Sequence, residues 1–113
     1  MIDAYGDGGF RLSGEWHAGS LLIVADHAQP WPVTSLADLS VESLNPVFAA
    51  GRAEVEFLLL GVGLRNAQPL RSLREALLIA GIGLEFMDTP AAAKLYNVLT
   101  SEGRRLACAL IAV

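Results

Sequence analysis

The apolar positions of this chain switch between two periods, and the switches mark its elements. Ser20 to Ala25 is a continuous apolar run rich in branched residues, the pattern of a strand covered on both faces. A second run, Val55 and Phe57 to Leu60, follows Glu54 and ends at Gly61-Val62-Gly63. The spacing then changes. Leu70, Leu73, Leu77 and Ala80 recur every three or four residues, which predicts a helix begun near Pro69 and stopped by Gly81. Ile82 to Met87 returns to strand character. Thr89 then supplies a candidate N-cap, and Pro90 suits the first helical position because its missing N–H is no loss there. Ala92, Leu95, Tyr96 and Leu99 give that helix an apolar stripe, Gly103 ends it, and Leu106 to Val113 predicts a last strand.

The first third follows a shorter rhythm. Gly6, Gly8, Gly9, Gly14 and Gly19 separate pieces such as Phe10-Arg11-Leu12 and Trp16-His17-Ala18, which predicts tight antiparallel turns. Asp26 to Pro32 contains two prolines within three residues, so an exposed loop carrying Trp31 is expected there. Between Ser40 and Ala50 the pattern is helical. Pro46 would clash inside a helix started at Ser40, so the start moves to Ser43 or Asn45.

Strand, helix, strand, helix, strand predicts a layered α/β fold, with a parallel crossover from Glu54 to Met87 and hairpin pieces that make the sheet mixed. The length of 113 residues suits one domain spanning 1–113. Its hydrophobic fraction of 53% is high for so small a body, which leads us to expect an apolar surface that meets a protein partner or a second copy.

Composition narrows the function classes. No apolar run approaches the roughly 20 residues needed to span a bilayer. The first residues lack a basic segment followed by a long apolar one, so no secretory signal is expected and a cytoplasmic location follows. A net charge of −4 with no basic cluster argues against nucleic-acid binding. Cys108 is alone in the last apolar run, where it reads as a small buried hydrophobe. His17 and His27 lack further ligands at metal-site spacing, and Ser20 lacks a nucleophile-elbow frame. The expectation is therefore no catalytic constellation, no metal and no cofactor.

Gly8-Gly9-Phe10, Gly19-Ser20-Leu21-Leu22, Leu60-Gly61-Val62-Gly63, Gly81-Ile82, Met87-Asp88-Thr89, Tyr96-Asn97 and Glu102-Gly103-Arg104 occur in an order that resembles a small family of largely unknown function. That family includes a mitochondrial respiratory complex I assembly factor and an adipogenesis-associated protein. The resemblance covers nearly the whole chain. It implies a three-layer α/β fold with a central mixed sheet whose final strand runs antiparallel to its neighbours, and it brings no established catalytic residues. Val62 and Leu95 stand where family members often have threonine.

Two kinds of site emerge. The first is the sheet edge where Gly61, Gly63 and Arg65 would meet Asp88 and Thr89, with Asn97 nearby. Backbone amides after a strand can approach an anion or nucleotide there, although a two-glycine turn also serves simply as a sharp exit from the sheet. The second is an interface using Trp31 and Phe48, since aromatic side chains anchor many protein contacts. From these we expect a non-enzymatic interaction or accessory factor, with a small-molecule binding domain or enzyme as the alternative.

Overall fold

A computed structural model describes all 113 residues, with two sheets, three α-helices and two short 3₁₀ turns. The N-terminal residues form an antiparallel ribbon of β1 (Ile2–Gly6), β2 (Gly9–Leu12) and β3 (Glu15–Ala18). Its two-residue turns, Asp7-Gly8 and Ser13-Gly14, have positive φ at both positions, the geometry that matches the strands' twist.

The second sheet contains β4 (Ser20–Val24), β5 (His27–Trp31), β6 (Phe57–Gly61), β7 (Gly83–Met87) and β8 (Leu106–Leu110), in the spatial order β5-β4-β8-β6-β7. β6 pairs in parallel with both β7 and β8, while β4 pairs antiparallel with both β8 and β5. The mixed three-layer fold expected from the sequence is present, with two parallel crossovers where one was expected. α2 (Arg71–Ala80) joins β6 to β7, and α3 (Thr89–Ser101) joins β7 to β8. The final strand is antiparallel to β4 but parallel to β6, because α3 carries the chain back to the end of the sheet where β6 and β7 begin.

Alternation along the buried strands explains their uninterrupted apolar runs. Leu58 and Leu60 pack with Ala107, Ala109, Leu73 and Leu77 on one face, under α2 and α1 (Asn45–Glu54). Leu59, Cys108 and Leu110 face the other way, toward Ala92, Ala93 and Tyr96 of α3 and Phe10 of the ribbon. Each strand thus feeds two cores.

Three local expectations are corrected. His27 to Trp31 is a strand rather than a loop. It lies at the edge of the sheet, where the donor missing from Pro30 is tolerated. Trp31 is not exposed: it is buried to 4% accessibility, and its Nε1 donates to the Ser43 carbonyl at 2.8 Å. The N-cap of α3 is Asp88 rather than Thr89; its Oδ1 accepts the Ala91 amide at 2.9 Å, and Pro90 sits one position further into the helix. α1 begins at Asn45, as Pro46 requires.

Candidate functional site

The carboxyl ends of β6, β7 and β8 converge on Thr89, which is fully buried. Its hydroxyl donates to the Ile111 carbonyl at 2.7 Å and accepts the Gly63 amide at 3.0 Å, while its own amide donates to the Gly63 carbonyl at 2.7 Å. Val62 donates to Met87, and Ile111 donates to Gly61, each at 2.9 Å. Gly61 allows this approach. A Cβ there would lie 2.8 Å from Leu110 Cδ2 and 3.0 Å from both Cα and Oγ1 of Thr89.

Gly61, Gly63 and Thr89 are therefore brought together as the sequence suggested, but their polar groups are spent on one another. The first free amides of α3 are engaged in the same way, with Asp88 accepting from Ala91. Arg65 is exposed on the loop that follows Gly63. Asn97 stands apart from that edge. Its Oδ1 accepts the Ile2 amide and its Nδ2 donates to the Ile2 carbonyl, both at 2.8 Å, clipping β1 to α3. Phe48 is half-buried on α1 against the core beneath it. His17 and His27 belong to no group of side chains able to hold a metal ion.

Two troughs flank β7, one on each face of the sheet. A trough of about 480 Å³ on the α3 side of β7 is lined by Phe57, Leu95 and Leu99 with Glu56, Glu85 and Arg104. The Arg104 guanidinium sits 5.3 Å from the centre of the Phe57 ring and 3.6 Å from Glu56 Oε2. A second trough, about 300 Å³ on the α2 side, is mainly apolar, with Leu77, Leu78, Leu84 and Phe86 beside Arg74. Leu78 and its neighbour Ile79 are 78% and 87% exposed. Sequence reasoning passed over them. The signal was the unbroken run Leu77-Leu78-Ile79-Ala80, since four consecutive apolar residues cannot all face the core from one helix.

A family model described as a protein of unknown function (DUF498/DUF598) matches residues 2–111. The chain belongs to this family. An uncharacterized protein from Rhodobacter capsulatus is 42% identical over 110 residues, covering 97% of this chain and 82% of its own length. The zebrafish protein named NADH dehydrogenase (ubiquinone) 1 alpha subcomplex assembly factor 3 is 36% identical over 111 residues. That alignment takes in 98% of this chain but 63% of the zebrafish protein, so the chain spans less than two thirds of the named factor. A solved structure from Bartonella henselae, called an outer membrane protein, superposes with a TM-score of 0.93 at 33% identity, over 99% of this chain and 93% of that one. In this chain no helix is long and apolar enough to cross a membrane.

Proposed function

We propose that this chain is a non-enzymatic assembly or accessory factor that works in the cytoplasm by holding other proteins. The observation that carries the reading is the alignment of 98% of the chain with a protein named as an assembly factor of NADH dehydrogenase. The geometry supports it in two ways. The strand-end junction at Thr89 is closed by its own hydrogen bonds, and the two most exposed apolar side chains, Leu78 and Ile79, are neighbours on α2, the helix that leads into β7.

Deleting the gene in the native cell and resolving respiratory complexes on native gels tests this function. Assembled NADH dehydrogenase should fall and return with a plasmid-borne copy, and a tagged chain should fractionate with soluble protein and recover NADH dehydrogenase subunits. Unchanged complex levels together with no recovered subunit would overturn it.

A further inference from the structure

The two edges of the five-stranded sheet are built differently. β5 carries Pro30 in its run, and a strand that lacks a donor is a poor template for another. β7 has no proline and pairs with β6 alone. Gly83 donates to the Glu56 carbonyl and Met87 accepts from Val62, both at 2.9 Å, so these two residues turn their backbone groups inward. By the two-residue alternation of a parallel ladder, Leu84 and Phe86 turn theirs outward, to a side that no strand occupies. Both large troughs flank this open edge.

We infer that the outer edge of β7 docks an extended segment of a partner protein, apolar at the alternate positions that face α2 and basic where it faces Glu85. The inference rests on the proposed assembly role and names the surface that would serve it. A strand added here would complete the ladder through Leu84 and Phe86 and lay alternate side chains into the two troughs. On the α2 side they would meet Leu78, Leu84 and Phe86. On the other they would meet the carboxylates of Glu56 and Glu85. Glu56 is shared with Arg104 and Arg105 at 3.6 and 3.7 Å, whereas Glu85 is exposed and has no cation within ion-pair distance. That unpaired charge selects the occupant. Two copies paired antiparallel at full overlap would set Leu84 against Phe86 of the other copy and bring the two Glu85 side chains directly opposite, in the closer kind of cross-strand pair. A basic residue at that place is attracted instead.

The test uses acetyl-Val-Lys-Val-Lys-Val-amide as probe, titrated into the ¹⁵N-labelled full chain, with the Glu-for-Lys peptide and a copy of the lysine peptide methylated at every backbone nitrogen as controls. The lysine peptide should shift the Leu84 and Phe86 amide signals and slow their exchange with deuterium. It should bind roughly fivefold tighter than the glutamate peptide, the size expected of cross-strand charge pairs. Glu85→Lys should reverse that order, and N-methylation should abolish the shifts. Absence of shifts at Leu84 and Phe86 at millimolar peptide, equal binding of the two charge types, or a dimer of the free chain buried at these amides would overturn the inference. A negative titration alongside a gene deletion that impairs the respiratory complex discards the edge and leaves the assembly role standing. An unimpaired complex together with no recovered subunit removes that role itself.

Discussion

Thr89 Oγ1 lies 2.7 Å from the carbonyl oxygen of Ile111, and through that bond the first turn of α3 is tied to the end of β8. The same oxygen accepts from Gly63 after β6. Replacing Thr89 with Val keeps the shape but strands the half-buried Gly63 amide and the buried Ile111 carbonyl, so Thr89→Val should cost about 2–4 kcal/mol in urea unfolding. Thr89→Ser restores the hydroxyl and should recover most of the loss.

Asn97 holds Ile2 by two bonds, one in each direction. Asn97→Ala removes both, and the damage should be local, because β1 belongs to the ribbon rather than to the main sheet. Hydrogen exchange at the Ile2 amide should quicken at least tenfold, with global stability down by about 1–2 kcal/mol. Asn97→Asp keeps the acceptor for the Ile2 amide and loses the donor, so its exchange rate should fall between the two.

Burial pushes the Cys108 thiol well above its ordinary value of 9.0. A group held neutral in the fold but free to ionise when unfolded contributes stability that is complete below the unfolded value. That contribution is lost as pH rises above it. Unfolding free energy should therefore decline from about pH 9 upward in the native protein. Burial also raises the Tyr96 phenol from its ordinary 10.0, so Cys108→Ala should delay the onset of decline rather than remove it. In the folded protein the thiol should resist Ellman's reagent until denaturant is added.

The β4–β5 turn holds Ala25 at φ 50° and Asp26 at φ 64°, in a left-handed region that alanine enters at a cost. Ala25→Asn suits that backbone and should raise stability by about 0.5–1 kcal/mol, seen as a higher urea midpoint at unchanged slope.

Much of the fold was legible because it depends on spacing along the chain. The period change between Leu60 and Leu70 located the crossover, and Pro46 located the start of α1. β5 was missed because a proline excludes a strand only when neighbours lie on both sides, and which strand becomes an edge depends on the order of all five. Trp31 looked like a loop residue for the same reason; its burial depends on Ser43 being brought beneath it. The pairing of β8 with β6 was equally nonlocal.

At the candidate site, Gly61, Gly63 and Thr89 carried their message in sequence, since a glycine at a strand end announces close approach. What that approach does is a matter of distances, and here it commits the Thr89 hydroxyl to Gly63 and Ile111. The Leu84–Phe86 edge was not legible at all. By itself the sequence determined the helices, the buried strands and the apolar excess, because periodicity and hydrophobic burial act locally. Only the tertiary structure decided which strand was left unpaired and where that excess reached the surface, because a strand's open hydrogen bonds are defined by neighbours far away in the chain.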